Sequence, residues 1–341
     1  MTAYGITYDT GFINDGVSTR ESFDPDVVRR EMRIIHDDLH CTAVRITGGD
    51  PDRLELAARH AADAGLEIWF SPFTCGLTID ELLALLGDCA ERAERLRLRG
   101  ADVVFLTGSE LSLFNIGFLP GDTLAERLGG LSSGGVAQVP ARINEFLGRA
   151  VALVRERFGG RVSYASIPFE QVDWTPFDII ATDGGYRSAE TADRFADEIR
   201  NFVAQDKPVA ITEFGCMTHR GAGALGARGD TIIEWDGANP VRLTDDYVRD
   251  EAEQATYVRE LLDIFTEAGV DTAFVNTFAS YHLPRREEGA RADLDLASYG
   301  VVAVFEDRLA GTDLPWEPKA AFTAFADYAV LAEGDGNTPA T

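Results

Sequence analysis

Two glutamates end two apolar runs. Glu110 closes Val-Val-Phe-Leu-Thr-Gly-Ser-Glu, and Glu213 closes Pro-Val-Ala-Ile-Thr-Glu. An unpaired carboxylate at the end of a buried strand is costly, so two of them call for an explanation. Two carboxylates across a sugar are what glycosidic cleavage needs. One protonates the leaving oxygen and the other attacks or activates water, and a separation of about 5–5.5 Å gives retention of configuration. The same pair can serve as acid and base in a lyase, cyclase or isomerase. A solvated loop or a structural ion pair also accounts for either glutamate taken alone.

Arg45 lies inside Ala-Val-Arg-Ile-Thr. An arginine within a buried strand needs an anionic partner. Glu213 is one candidate, and the cation would then favour its ionised form; a loop aspartate is the other. Tyr186, in Asp-Gly-Gly-Tyr, can donate its hydroxyl to the same carboxylate or pack at a rim. Tyr8 and Asp9 close the first apolar run and can meet a sugar hydroxyl or stay structural. Trp174 and Glu170, after the fifth run, and Trp235, after the seventh, are further binding candidates, because the apolar face of a sugar packs on an aromatic ring. The tryptophans serve equally as lids on the protein itself. His219 and His282 fall in long loops and read as surface histidines. Cys216, three residues past Glu213, reads as a small buried hydrophobe.

Other chemistries fit less well. Lysine occurs twice, at Lys207 and Lys319, and neither follows an apolar run, which argues against Schiff-base catalysis. His36 and His40 are four apart but lack the glutamate of a zinc-protease helix. The acidic groups expected at strand ends, Asp9, Glu110, Asp183 and Glu213, include no histidine, so a metal-dependent isomerase ranks last. Gly221, Gly223 and Gly226 match GxGxxG by spacing but neither follow a strand nor open a helix. Four cysteines form no CxxC pair. No metal and no cofactor are expected. The 341 residues carry 31 basic and 57 acidic side chains, a net charge of −26. That surface repels phosphate backbones and acidic lipids, so neither nucleic acid nor membrane is an expected partner. The expected partner is a small-molecule or oligosaccharide substrate. The first residues show no basic, apolar leader, which gives a cytoplasmic expectation.

The elements that must position these residues alternate. Apolar runs at Tyr4–Tyr8, Thr42–Ile46, Glu67–Ser71, Asp102–Thr107, Val162–Ser166, Asp178–Thr182, Pro208–Glu213 and Thr272–Thr277 read as eight strands, several without the alternation of a half-exposed sheet. Helical patterns lie between them at Pro25–Asp38, Pro51–Ala64, Ile79–Leu98, Val139–Phe158, Ala189–Ala204, Asp246–Ala268 and Lys319–Leu331. Asp24 and Asp50 are N-caps followed by proline, and Gly65 is a C-terminal stop. The stretch Ile167–Phe177 is too short for a full helix. Repeated βα units predict a single-domain α/β (β/α)8 TIM barrel over 1–332, with a doubly wound sheet as the alternative. Long connections follow strands 4, 7 and 8, which in a barrel places them at the catalytic C-terminal face. Residues 333–341 read as a disordered tail.

Taken with this pattern, Glu110 after strand 4, Ile-Thr-Glu-Phe-Gly around Glu213, Arg45 on strand 2 and Trp-Glu-Pro-Lys-Ala-Ala-Phe from Trp316 resemble the clan A retaining glycoside hydrolases. The resemblance runs over nearly the whole chain through scattered short motifs. It implies Glu110 as acid/base and Glu213 as nucleophile. Two positions depart from the clan. Ser109 replaces the asparagine that contacts the sugar 2-hydroxyl, and Phe278 stands near where a tryptophan platform ends strand 8. Those departures leave open an unusual glycoside, a non-hydrolytic acid/base reaction, or a non-catalytic sugar-binding homologue. The chain is also similar to bacterial proteins labelled abortive-infection proteins.

Overall fold

The computed structural model describes residues 1, 3–131, 134–287, 289, 291–309 and 313–336. Eight parallel strands form its centre: β1 (Ala3–Asp9), β2 (Ala43–Gly48), β3 (Glu67–Pro72), β4 (Val103–Ser109), β5 (Arg161–Ala165), β6 (Ile180–Thr182), β7 (Val209–Phe214) and β8 (Thr272–Val275). Their order is β5-β4-β3-β2-β1-β8-β7-β6. The two end strands meet through a single parallel bridge, Ser166 to Thr182, which nearly closes the barrel. The TIM-barrel expectation is met, and the doubly wound sheet is set aside.

Strand parity explains the two cores. Alternate residues of β1 and β2 face opposite sides. Ala3, Ala43, Trp69, Val104, Ala210 and Phe274 belong to a small cluster inside the barrel. Tyr4, Ile6, Tyr8, Val44 and Ile46 belong to the larger cluster between strands and helices. Trp69 and Phe274 meet edge to face at 5.0 Å. Gly5 makes room for that ring, since a Cβ there would lie 2.5 Å from Phe274.

The main helices are α1 (Pro25–Asp37), α2 (Pro51–Ala64), α3 (Ile79–Leu98), α4 (Val139–Arg155), α5 (Phe195–Val203), α6 (Glu251–Ala268) and α7 (Ala320–Gly336). Their starts follow local chemistry. Asp24 and Asp50 side chains accept the first free backbone N–H groups of α1 and α2, and Thr78 with Glu81 forms a capping box on α3. Gly65 ends α2 at φ 88°. The stretch after β5 holds only a 3-10 turn, Pro168–Glu170. Helix α5 is shorter than expected because Ala189–Arg194 forms turns. The tail expected from Glu333 begins inside α7, which runs to Gly336, and residues 337–341 lie outside the described residues.

The elaborated connections have their own structure. The one after β4 carries short helices Leu111–Phe114 and Leu124–Leu131. The one after β7 carries a hairpin, Ile233–Asp236 with Asn239–Leu243, and the one after β8 pairs Val302–Val304 with Trp316–Pro318. A small hairpin after β1, Ile13–Asn14 with Val17–Ser18, also rises on this face. Among the described residues, no helix is long and apolar enough to cross a membrane.

Candidate active site

The backbone aims both glutamates by the same device. Between Leu106 and Ser109, β4 spends one residue more than β5 opposite it; between Ile211 and Phe214, β7 spends one more than β8. An extra residue of this kind kinks a strand and re-aims its side chains. Glu110 follows the first bulge and Glu213 lies within the second. Glu110 itself sits at φ 45°, ψ 38°, a left-handed conformation that costs roughly 1–3 kcal/mol for a residue with a side chain. Its N–H is held by the Ala165 carbonyl at 2.9 Å. The next N–H, of Leu111, donates to the Tyr164 hydroxyl at 2.8 Å, and that hydroxyl donates to Glu170 at 2.8 Å. Glu170 also accepts from the Ser112 hydroxyl at 2.6 Å and from the Ile167 N–H at 3.1 Å. It is fully buried beneath the segment carrying Glu110.

Arg45 is the hub on the other side. It points into the barrel from β2 with no exposed surface. Nη1 donates to Asp183 at 2.8 Å, to the Thr212 carbonyl at 2.9 Å and to Glu213 Oε1 at 3.0 Å. Nη2 donates to Ser109 Oγ at 3.0 Å, and Nε to Ser71 Oγ at 3.3 Å. Both partners weighed for Arg45 are therefore present, the glutamate and an aspartate. The second oxygen of Glu213 accepts from Tyr186 at 3.1 Å and from Asn276 Nδ2 at 3.4 Å, and Asn276 also donates to Tyr186 at 2.8 Å. Ser109 donates its one hydroxyl hydrogen to Asp183 at 2.7 Å. Toward any ligand, that hydroxyl can only accept.

These surroundings separate the two glutamates. Burial pushes Glu110 well above the ordinary carboxylate range, and the charges of Asp183, Glu213 and Glu170 push the same way; Arg45 opposes them only weakly. Burial and Asp183 also raise Glu213, but Arg45, Tyr186 and a hydrogen bond from Arg45 hold it to about 7. Glu213 therefore ionises first and Glu110 keeps its proton. Burial keeps Tyr186 protonated far into the alkaline range, so it remains a donor. Glu170 is raised by burial to about 7. A base and an acid thus stand at one barrel mouth, each set by its environment.

A cavity of about 270 Å³ opens beside Glu213. Its wall comes from the C-terminal ends of the strands: Asp9, Thr47, Glu213 and Asn276. Phe12, Phe73, Trp235 and Tyr299 supply aromatic surface. Of the residues expected at the site, Arg45, Ser109, Glu213 and Tyr186 are in direct contact, and Asp9 and Trp235 line the cavity. Others lie elsewhere. Tyr8 has the outward parity of β1 and bonds Glu31 on α1. Phe278 is fully buried between Tyr8 and Trp316. Trp174 packs on Phe177, and its carbonyl caps Lys207 at the start of β7, the opposite end of the barrel. The two loop histidines are less exposed than expected, His219 buried and His282 half-buried. His219 is buried against the Leu296 carbonyl, and His282 lines the cavity because the loop after β8 folds back over the mouth. The N–H groups of Gly221 and Gly223 point at the Glu253 carboxylate, an acceptor that leaves no cradle for phosphate.

Asp183 and Asn276 were not singled out as contacts, yet each is the first carboxylate or carboxamide past an apolar run, the same signal that marks Glu110 and Glu213. Phe12, Phe73, Thr19 and Tyr299 carry no such mark, because loop folding alone brings them to the cavity. Among the described residues, no group of three His, Cys, Asp or Glu is arranged to hold a metal ion.

No family model and no curated protein matches the chain. Solved structures do. The fold is similar to that of a GH113 beta-1,4-mannanase at TM-score 0.63 and 16% identity, covering 97% of this chain and 99% of that one. It is similar to the GH113 beta-mannanase AaManA from Alicyclobacillus acidocaldarius at TM-score 0.57 and 16% identity, over 96% of each chain. It is similar to the Parabacteroides merdae beta-glucuronidase at TM-score 0.60 and 14% identity, over 96% of this chain and 38% of that one. The chain thus shares the TIM-barrel fold of these proteins, and at these identities the likeness shows the fold alone. These matches give no support to the likeness to abortive-infection proteins.

Proposed function

We propose that the chain is a retaining glycoside hydrolase with Glu213 as nucleophile and Glu110 as acid/base. The observation that carries this reading is the asymmetry of the two carboxyls. Glu213 is gripped by Arg45, Tyr186 and Asn276, while burial, and after it the neighbouring carboxylates, keep Glu110 protonated. In the first step a Glu213 oxygen attacks the anomeric carbon and Glu110 gives its proton to the leaving oxygen. In the second, Glu110 takes a proton from water, which attacks the same carbon and releases Glu213. A second sugar in place of water would give transfer. Trp235 offers a stacking face at the mouth, and the cavity suits a small glycone, being near the lower end of ligand sites at roughly 300–1,000 Å³.

A second reading is favoured by Ser109. Its hydrogen is committed to Asp183, so it cannot donate to a sugar hydroxyl. The same acid and base can then run an elimination or isomerisation. Proton NMR of the first product from a panel of aryl glycosides separates the two. Retained anomeric configuration, lost in Glu213→Gln, supports the hydrolase. An unsaturated sugar product supports elimination, and inversion contradicts the assigned nucleophile.

A further inference from the structure

The cavity has a second polar pole that the mechanism does not use. Asp9, at the end of β1, lines it together with His282 from the loop after β8. Asp9 is fixed in place: Oδ1 accepts from the Gly11 N–H at 2.8 Å, and Oδ2 accepts from the Thr19 hydroxyl. That hydroxyl is itself oriented by the Phe12 N–H at 2.8 Å. A carboxylate offers about four acceptor sites, so each Asp9 oxygen keeps one for a ligand. His282 is the converse case. Its Nδ1 is sealed from solvent and pairs with nothing among the described residues. An atom closed to solvent is closed to a ligand in the open cavity as well, so His282 meets a ligand only through the rest of its ring.

The charge of this cavity is as informative as its shape. Among the described residues, two carboxylates line it, Asp9 and Glu213, and no lysine or arginine does. The guanidiniums that come up to its wall are already committed. Arg45 is paired with Asp183 and Glu213, and Arg20, whose Nη1 reaches the Asp9 carbonyl, is paired with Glu31. Burial lowers the His282 pKa, with Asp9 opposing, so the imidazole adds no cation at neutral pH.

We infer that Asp9, with the His282 ring beside it, forms the specificity-determining end of the cavity, Asp9 binding hydroxyls of an uncharged sugar and excluding a uronic acid. This rests on the glycosidase reading for the site, yet it concerns binding and can be tested apart from turnover. Asp9 accepts the hydrogens of ring hydroxyls, and a sugar carboxylate placed there meets a like charge with no cation to offset it. Like charges juxtaposed at an interface cost several kcal/mol.

The test is ligand-observed NMR titration of the full chain with methyl glucoside, methyl mannoside, methyl galactoside and sodium methyl glucuronate. At least one neutral glycoside should bind, with the glucuronate weaker by on the order of 100-fold. Asp9→Asn keeps the side-chain shape and should narrow that ratio. His282→Ala removes uncharged ring surface from the wall and should leave the ratio alone. A purely structural role for Asp9 would lower both affinities together, which overturns the assignment. Glucuronate binding as tightly as the neutral sugars, or no sugar binding at all, also overturns it. Neutral sugars that bind but are never hydrolysed as aryl glycosides would support the assignment while removing the hydrolase reading.

Discussion

Replacing Arg45 by methionine tests whether the hub holds the site together electrostatically. The guanidinium is wholly buried and lies between Asp183 and Glu213, at 2.8 and 3.0 Å. Methionine fills comparable space but leaves two buried carboxylates facing each other without a cation. Breaking a buried pair in this way costs about 3–5 kcal/mol. With an unfolding entropy of roughly 2.1 cal/mol/K per residue, 341 residues give about 0.7 kcal/mol/K, so Tm should fall by ~4–7 °C at pH 8. The pH dependence carries the argument. Glu213 in the native protein titrates near 7, above an unfolded value of about 4.3, so its contribution to stability declines as pH rises between those values. Without Arg45 the native value rises further and the decline extends to higher pH. At pH 5 Glu213 carries its proton in both proteins, so its share of the loss falls away and the drop in Tm is smaller than at pH 8. Calorimetric melts of both proteins at pH 5 and pH 8 read this out. An equal drop at both pH values would refute an electrostatic role for Arg45.

Glu110→Gln removes a carboxyl that burial and three anionic neighbours make costly to ionise. It should raise Tm at pH 8 while lowering kcat by about 10²–10⁴ on glycosides with poor leaving groups, as steady-state assays would show. Gly108→Ala puts a Cβ 2.8 Å from Leu111 at φ 122°. The bulge that aims Glu110 should shift, with a loss of about 1–3 kcal/mol in a denaturant titration and a larger proportional loss of kcat than of stability would imply for the folded fraction. Trp235→Ala removes a half-exposed ring from the cavity wall, so KM should rise several-fold with Tm unchanged. For the wild type, log kcat/KM against pH should fall on the acid side near 7, where Glu213 takes up its proton, and on the alkaline side only where Glu110 loses its own.

The barrel was legible because its strands are buried on both faces and its helices carry their stops and starts in sequence. Asp24, Asp50 and Gly65 placed α1 and α2 to within a residue. Glu110, Glu213 and Arg45 were legible for a related reason. A charge at the end of, or within, an apolar run has few tolerable surroundings, and facing other charges at a barrel mouth is one of them. Parity explains what was misplaced. Tyr8 and Asp9 are adjacent, but a strand sends neighbours to opposite faces, so Tyr8 joins Glu31 while Asp9 joins the cavity. Phe278 and Trp174 failed as platforms because an aromatic ring is as well placed in a core as at a mouth, and sequence does not show which way a loop turns. His282 was hidden for the same reason: its place in the cavity wall depends on how the long loop after β8 folds. The two bulges escaped notice because β4 and β7 differ from their neighbours by one residue of register, which no local pattern records.

The most direct test of the central claim is covalent trapping. The intact protein is incubated with a panel of 2-deoxy-2-fluoro glycosides bearing a good leaving group, digested, and its peptides weighed by mass spectrometry. The account predicts one glycosyl adduct on the peptide containing Glu213, absent in Glu213→Gln and slow to hydrolyse. An adduct on Glu110 or Asp183 instead, or turnover of the parent glycosides with no adduct at all, would contradict it.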